Sequence, residues 1–373
     1  MALEEHDKKR VTSQFLIHGD MVRMAPYGDG HINDTYASVF DQAGTTVRYI
    51  HQRVNRQVFR NTAGLMENIQ RVTAYQRHKL QETGCTDASR RALTLVPTRD
   101  GKSYWTDDNG DVWRTYLFIE KAATYNSLTG SGQAYQAARA FGEFQRAVSD
   151  LSGPRLHETI PQFHDTEKRF RDLMEAVEAD AMNRAKDVAP EIAFANERAG
   201  IVCLVNDRLA DGRLPERVTH NDTKINNVML DDASGEGVCV IDLDTVMPGS
   251  ALFDFGDMVR TSTCPCREDT ADLNEVVVHD AMFEALVKGY LAGAGDFLTD
   301  EEIALLAFSG RLITFEIGLR FLTDYLEGDT YFRTHRPAQN VDRCRVQFAL
   351  VRSIEEKQEE LQMIVQRVLN DGA

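Results

Sequence analysis

The hydrophobic pattern of this chain changes near residue 120, and this change constrains its fold more than any other feature. Before it, short β-branched and aromatic runs are separated by Gly, Asp and Asn, which is typical of strands joined by turns. After it, apolar residues recur at helical spacing along most of the chain. Strands are predicted in five runs: MVRMAPY (21–27), TYASVF (35–40), TTVRYIHQRV (45–54), ALTLVPT (92–98) and VWRTYLFIE (112–120).

One helix interrupts these strands, because apolar residues recur at helical spacing over residues 65–75. Asn109-Gly110 predicts a tight hairpin turn, since both residues tolerate positive φ. Strands around a single helix indicate a small, antiparallel, β-rich N-lobe over residues 1–120.

The remaining residues, 121–373, are predicted to form a larger, mainly helical C-lobe, which makes the fold class α+β. Thr299 followed by Glu302 fits a capping box at the start of one helix. The segment 217–245 instead has the character of two short strands around a turn. Helices are predicted over 132–151, 165–185, 192–211, 279–292, 300–326 and 341–369.

The charge balance excludes some partners, since 42 Lys and Arg stand against 58 Asp and Glu, a net charge of −16. Such an acidic surface repels nucleic acid and anionic membranes, so neither is an expected partner. No apolar segment suggests a signal peptide or a membrane span. Six scattered cysteines fit a reduced, cytoplasmic protein. Cys264-Pro265-Cys266 could be half of a metal site, but no second pair lies at ligand spacing.

The segment HNDTKINN (220–227) matches the pattern H-x-D-x-x-x-x-N of kinase catalytic loops. In that pattern Asp222 accepts the proton of the acceptor hydroxyl, and Asn227 reaches a metal on the nucleotide. Lys224 would place a cation beside the transferred phosphoryl group. A polar loop between two strands is the alternative interpretation.

Two aspartates compete for the metal site. The literal triplet DFG begins at Asp254, but a kinase metal aspartate stands at the end of the strand that follows the catalytic loop. The apolar strand VCVI (238–241) ends at Asp242, so Asp242 is the predicted metal ligand and DFG is coincidental. Asp244 either assists the metal or faces solvent.

The nucleotide-binding residues of the N-lobe are less regular. Gly28, Gly30 and His31 lie between two strands, where small residues let backbone amides approach phosphate. The lysine expected on the third strand is absent, and Gln52 or Arg53 stands there instead. Candidate nucleotide-binding residues are therefore Gly28, Gly30, His31, Arg53, Glu67 on the following helix, and Glu120 in the linker that would contact adenine.

The stretch ITFEIGLRFLTDYL (313–326) is apolar nearly all round, which predicts a buried helix. Glu316, Arg320 and Asp324 recur every four residues and so share one face. Buried charges need partners or a function. The three side chains form either a structural ladder of ion pairs or a polar substrate pocket.

Taken together, these motifs resemble the aminoglycoside phosphotransferase and choline kinase superfamily. The resemblance spans both lobes and implies a protein-kinase-like two-lobed fold that uses ATP and Mg²⁺. It also implies that Asp242 binds the metal without the Phe-Gly that follows the metal aspartate in protein kinases.

Longer strings are similar to N-acetylhexosamine 1-kinases: GHINDTY (30–36), FHDTEKRF (163–170), HNDTKINNVML (220–230), IDLDTVMPG (241–249) and GLRFLTDYLEGDTYF (318–332). This resemblance implies transfer of phosphate from ATP to the anomeric hydroxyl of N-acetylglucosamine or N-acetylgalactosamine. It implies Arg320 and Tyr331 as sugar contacts. Glu316 and Asp324 join them as candidates, with His31, Phe163 and His164 as weaker ones.

Two other functions stay open. One is a related kinase acting on glucosamine, an amino alcohol or an aminoglycoside, although a cationic acceptor would call for an acidic pocket rather than Arg320. The other is a nucleotide-binding regulatory protein without catalysis. The missing strand lysine favours it, whereas Asp222, Asn227 and Asp242 argue against it.

Overall fold

The computed structural model describes residues 4–28 and 32–372. Its N-terminal part is an antiparallel five-stranded sheet in the order β1-β2-β3-β5-β4. The strands are β1 (Asp20–Pro26), β2 (Asp34–Gln42), β3 (Thr45–Arg53), β4 (Trp105–Thr106) and β5 (Val112–Leu117). The predicted strand at 92–98 is wrong, because only isolated bridges form there, at Leu95 and Thr98. Pro97 has no N–H to donate to a ladder.

The two faces of this sheet meet different partners. Tyr49 and His51 of β3 point toward helix α1 (Glu5–Thr12) and pack in a core with Phe15. Side chains alternate along a strand, so Ile50 and Gln52 point to the other face. That face packs on helix α2 (Thr62–Glu82) and the helical part of the protein.

The C-terminal part is mainly helical, which confirms the predicted α+β arrangement. The capping box of Thr299 and Glu302 is confirmed at the start of α10. The predicted helix 192–211 is interrupted by a 3₁₀ turn at Ala199–Ile201, and 341–369 is interrupted at Lys357. The helices after α2 are α3 (Ala88–Arg91), α4 (Ser131–Val148), α5 (Thr166–Ala179), α6 (Ala189–Glu197), α7 (Leu204–Ala210), α8 (Ala251–Ser262), α9 (Asp280–Ala294), α10 (Asp300–Ala304), α11 (Leu306–Leu326), α12 (Gln339–Glu356) and α13 (Gln358–Asp371).

Short strands position the catalytic-loop segment. They are β6 (Ala122–Ala123), β7 (Arg217–Thr219), β8 (Val228–Asp231), β9 (Gly237–Val240) and β10 (Met247–Gly249). β8 and β9 form the hairpin expected after this loop, and β7 pairs with β10. Residues 220–227 therefore connect β7 to β8, and Asp242 follows β9 closely.

Helices α4 and α9 form the centre of the helical part and approach one another closely. A Cβ atom at Gly289 would overlap the carbonyl oxygen of Tyr135, and one at Gly293 would overlap that of Arg139. Glycine at these positions therefore permits the close packing. The buried helix α11 lies against α8 and α12, which confirms the burial predicted for 313–326.

The structure also bears on the expectations about membrane spans and cysteines. In the described part of the chain, no helix combines the length and apolar character needed to cross a bilayer. Cys264 and Cys266 form a disulfide, so the expectation of reduced cysteines is wrong for this pair. Their sulfurs bind each other rather than forming half of a metal site.

Candidate active site

Hydrogen bonds from helix α8 hold the catalytic-loop segment, residues 220–227, in place. Asp254, the first residue of the literal DFG, is fully buried. Its carboxylate accepts the backbone N–H groups of His220 at 2.8 Å and of Asn221 at 2.6 Å. The hydroxyl of Thr223 donates to the Asp254 carbonyl at 2.5 Å. These bonds occupy Asp254 in shaping the loop.

Asp222 lies at the centre of this loop with two donors. Lys224 Nζ is 2.8 Å from Asp222 Oδ2, and Asn227 Nδ2 donates to the same oxygen at 3.0 Å. No group in the described part of the chain donates a hydrogen bond to Oδ1. Burial opposes ionisation of Asp222, but the Lys224 charge, together with His220 and Asn227, outweighs it and lowers its pKa. Asp222 is thus an ionised carboxylate with one oxygen available.

Asp242 projects into the same region from a left-handed backbone conformation, with φ 58° and ψ 57°. It is solvent-exposed. Within residues 4–28 and 32–372, no group forms a hydrogen bond or ion pair with its carboxylate. Desolvation by the surrounding protein, followed by the negative charges of Asp244 and Asp222, raises the pKa of Asp242 to about 6. An exposed carboxylate beside two others is suited to a cation.

The possible metal ligands near the Asp222 loop are few, which fits Mg²⁺ better than a metal that is bound by protein ligands alone. The described residues contain no group of three or more His, Cys, Asp or Glu side chains able to hold a metal. Mg²⁺ usually takes only one or two carboxylates and completes its shell with water and substrate phosphates. Asp242 and the amide oxygen of Asn227 match that limited set.

Asp244, two residues later, neither faces solvent nor is free for a metal. It is buried, and its Oδ1 lies 2.5 Å from Nη1 of Arg114 on β5. Its Oδ2 accepts a hydrogen bond from Asn33 Nδ2 at 2.6 Å. Both oxygens are therefore held by residues of the N-terminal part.

The predicted nucleotide-binding side chains are not all brought to this site. Arg53 lies on the opposite face of the sheet, where it contacts Asp34 and Asp111, so the structure does not bring its side chain to the Asp222 loop. Glu67 bonds His157 at 3.0 Å rather than a strand cation. Gly28 has φ 76° at the end of β1, and Gly30 and His31 lie outside the described residues.

Glu120 belongs to an aromatic and charged cluster near the linker. Arg48 Nε donates to Glu120 Oε1 at 2.8 Å, and its guanidinium lies 3.7 Å from the ring centroid of Phe118. The edge of Tyr27 meets Phe118 with centroids 5.6 Å apart. Tyr27 directly precedes Gly28 and is 46% exposed.

Glu316 is connected to the catalytic-loop segment through His164. It is fully buried, and its two oxygens contact His164 Nδ1 at 2.8 Å and the hydroxyl of Thr166 at 2.6 Å. His164 Nε2 lies 3.0 Å from the carbonyl oxygen of Asn221, the residue before Asp222. Glu316 therefore positions the loop and is not open to a substrate.

Asp324 shapes a second loop rather than reaching a substrate. Its carboxylate accepts the backbone N–H groups of Thr330, Tyr331 and Phe332 at 2.7–2.9 Å, and Asn340 donates to it as well. It is buried. Because Glu316 and Asp324 both have other partners, the alternative of an ion-pair ladder with Arg320 does not form. The same partners occupy the oxygens of both carboxylates.

Arg320 is the positively charged residue on the face of α11 that it shares with Glu316 and Asp324. Its Nη2 donates to the Tyr331 hydroxyl at 3.3 Å, and its guanidinium lies 5.2–5.6 Å from the ring centroids of Phe163, Tyr331 and Phe332. No carboxylate among the described residues forms an ion pair with it. Burial and the nearby guanidinium of Arg169 lower the pKa of Arg320. Tyr331 is 61% exposed, so this cluster opens to solvent. Phe163 connects the cluster to His164, which contacts the Asn221 carbonyl oxygen of the Asp222 loop.

A comparison with protein families agrees with this geometry. The profile of the phosphotransferase enzyme family, APH, matches residues 23–295, well over half of the chain. The chain belongs to the phosphotransferase enzyme family.

Solved structures place this phosphotransferase among kinase-like folds. An aminoglycoside phosphotransferase from Alicyclobacillus acidocaldarius aligns over 97% of this chain and 96% of its own, with 16% identity and a TM-score of 0.59. Choline kinase from Cryptosporidium parvum aligns over 93% and 91%, with 12% identity and a TM-score of 0.52. Spectinomycin phosphotransferase APH(9)-Ia, solved with ADP and spectinomycin, aligns over 91% and 94%, with 13% identity and a TM-score of 0.51. The predicted kinase-like fold is confirmed.

Several residues of the phosphotransferase site escaped the sequence reasoning. Arg114 carries the buried charge that meets Asp244, and Asn33 holds the same carboxylate. One signal was present, since Arg114 is the only charged residue inside the apolar run VWRTYLF. A charge at the centre of a strand whose neighbours are buried on both faces requires a partner.

Proposed function

We propose that this phosphotransferase transfers the γ-phosphoryl group of ATP to the anomeric hydroxyl of an N-acetylhexosamine, either N-acetylglucosamine or N-acetylgalactosamine. The observation that carries the proposal is the position of Arg320, which has aromatic neighbours and no described carboxylate partner. It is connected to the Asp222 loop through Phe163 and His164, whose ring contacts the Asn221 carbonyl oxygen. A guanidinium next to aromatic rings suits a neutral sugar with directional hydroxyl and carbonyl oxygens. It would repel a cationic amine.

Asp222 is the proposed base. Its Oδ2 is held by Lys224 and Asn227, which leaves Oδ1 to accept the proton of the C1 hydroxyl as the oxygen attacks phosphorus. The lowered pKa of Asp222 keeps it ionised at neutral pH. General bases of this kind typically contribute about 10²–10⁴-fold to a rate.

The charges around the transferred group come from a few side chains. Lys224 is placed to neutralise an oxygen of the γ-phosphoryl group once it turns from Asp222. Asp242 and Asn227 would hold Mg²⁺, which when bound neutralises charge on the β- and γ-phosphates. This small set of local cations is what an acidic protein needs to bind a polyphosphate.

The residues that bind adenine and the sugar are proposed from their positions in the structure. We propose that adenine lies against Tyr27 and Phe118 and meets the backbone of the linker near Glu120. Arg320 and Tyr331 would bind the sugar, since Asp324 holds the backbone of the Tyr331 loop in one shape. The chemistry then takes place between the two parts of the protein, above the Asp222 loop.

The test is ATP consumption with a panel of acceptors. N-acetylglucosamine and N-acetylgalactosamine should stimulate ADP release, whereas choline, ethanolamine, glucosamine and kanamycin should do so far less. Coupling of the product phosphorus to the anomeric proton in NMR would place the phosphate on C1. Turnover with an amine acceptor and none with either acetylated sugar would refute the proposed acceptor.

A further inference from the structure

Strand β3 carries no lysine, yet a buried positive charge lies close to the metal-binding loop. In protein kinases a lysine on this strand pairs with the nucleotide phosphates. Here Gln52 occupies the face of β3 that points to the helical part, and it lies directly opposite Arg114 of β5 in the sheet. The buried positive charge beside Gln52 therefore lies on β5 rather than on β3.

Arg114 is fixed at both ends of its guanidinium group. Its Nε and Nη2 donate to Gln52 Oε1 at 2.9 and 2.8 Å, and its Nη1 lies 2.5 Å from Asp244 Oδ1. Its exposed fraction is only 1%. Arg114 thus links β3, β5 and the segment that follows the metal-binding candidate Asp242.

The Asp244 carboxylate also contacts Asn33, which follows the candidate phosphate-binding loop at residues 28–31. Asn33 donates to Asp244 Oδ2 at 2.6 Å and accepts the backbone N–H of Asn55 at 2.9 Å. Asp244 is therefore held from two sides by the N-terminal part. Movement of Arg114 would disturb the metal-binding loop and the start of β2 together.

We propose that Arg114 is a positioning residue for the nucleotide site, acting through Asp244 rather than by pairing with the phosphates as a strand lysine does. By holding Asp244, it fixes the loop that carries Asp242 beneath the sheet and so keeps the two walls of the nucleotide site at the right separation. This inference rests on the proposed function only in taking ATP as the phosphoryl donor.

Stability alone gives a weak reason for such a pair. Burying two charges costs desolvation energy that their attraction repays only with good geometry, and apolar residues of similar volume often serve as well. In this protein the pair lies close to Asp242, where the Arg114 charge reduces the repulsion between the Asp242 and Asp244 carboxylates. Its place in the molecule is therefore better explained by the nucleotide site than by the core.

The experiment separates positioning from stability with four variants. R114M removes the charge. R114K keeps the charge but cannot contact Gln52 and Asp244 with separate guanidinium nitrogens. R114M/D244L removes both partners of the ion pair. R198M is the matched control, because Arg198, in the turn that follows α6, forms a partly buried pair with Glu355 of α12. Each is measured by thermal unfolding and by calorimetric titration with ADP, with and without Mg²⁺, and then with N-acetylglucosamine.

We expect R114M to weaken ADP binding at least about tenfold and to lower the melting temperature, while sugar binding stays within about twofold. R114K should lie between R114M and wild type. R114M/D244L should regain most of the melting temperature but not the ADP affinity. R198M should lose stability and keep its ADP affinity.

Recovery of ADP affinity together with stability in R114M/D244L would overturn the proposal, because Arg114 would then be an ordinary structural partner. Unchanged ADP binding in R114M would overturn it as well. A wild-type protein that binds ADP but phosphorylates neither acetylated sugar would refute the proposed acceptor and leave this comparison intact. If R114M does not fold, the double variant and R114K still decide the question.

Discussion

His164 joins the buried carboxylate of Glu316 to the backbone carbonyl of Asn221, the residue that precedes the proposed base. Both neighbours of the imidazole are acceptors, so both ring nitrogens must donate, which requires the protonated ring. Burial by itself would lower the pKa of His164, but the Glu316 carboxylate, the Asn221 carbonyl and the charge of Asp257 outweigh it and raise the pKa. The loop is thus held by a charged pair.

The first prediction follows from the raised pKa of His164. A raised folded-state pKa contributes stability that is fully present below the unfolded value, about 6.5, and is lost as pH rises through the folded value. His164→Asn should therefore lower the free energy of unfolding by about 1–3 kcal/mol near pH 6, and this difference should shrink at alkaline pH. Urea unfolding across a pH series measures it.

Glu316 gives the complementary control. Its folded pKa is lowered by His164 and Thr166 against the effect of burial, so its contribution is lost as pH falls through that folded value. Glu316→Gln should accordingly differ most from wild type at neutral pH and least in acid. A His164→Asn penalty that stayed constant from neutral to alkaline pH would contradict the charged pair.

The second prediction contrasts the two aspartates that compete for the metal. Asp242 has no described partner, and its raised pKa means that its ionised form opposes folding at neutral pH, so Asp242→Asn should keep or raise stability while it abolishes Mg²⁺-dependent turnover. Asp254 accepts two backbone N–H groups, so Asp254→Asn should cost about 1–3 kcal/mol of folding free energy. Chemical denaturation and Mg²⁺ titration of turnover would distinguish them. An Asp242→Asn enzyme with near-normal activity would return the literal DFG to contention.

Local spacing accounts for what the sequence predicted well in this site. The catalytic-loop segment lies within eight residues, and the hairpin β8–β9 that follows it carries the chain to Asp242 by short-range turns. Such features need no knowledge of distant partners. The strand periods and helical faces likewise predicted the α+β fold and the burial of α11.

Long-range pairing accounts for what was missed. The register of β3 was not fixed by its sequence, and a shift of one residue exchanges Gln52 for Arg53 at the inner face. Glu316 and Asp324 share a helical face with Arg320, but their partners come from residues 164–166 and 330–332. Helical spacing reveals a polar stripe without showing which of its members is already satisfied.

The third prediction concerns the acceptor side. Arg320→Ala should raise KM for the sugar more than it lowers kcat, because a contact that is equal in ground and transition states affects binding alone. KM for ATP should stay the same. Tyr331→Phe removes only the hydroxyl that meets Arg320 and should give a smaller change in the same direction.

Asp324→Asn is the matched test of the Tyr331 loop. It keeps the size of the side chain but weakens its acceptance of three backbone N–H groups, so it should raise the sugar KM through disorder of the loop and also lower stability. A rise in KM for ATP rather than for sugar in Arg320→Ala would move the acceptor site elsewhere.

The fourth prediction concerns the base and the position of the new phosphate. Asp222→Asn keeps the shape of the side chain, but it removes the proton acceptor and the charge that pairs with Lys224. Turnover should fall by about 10²–10⁴-fold, while calorimetric binding of N-acetylglucosamine changes little because Arg320 and Tyr331 are unaltered. Residual product should still carry phosphate on C1, as read from phosphorus–proton coupling, since the acceptor is held by other residues. Near-normal turnover in Asp222→Asn would remove Asp222 from the mechanism, and phosphate on C6 would keep the kinase chemistry but overturn the anomeric assignment.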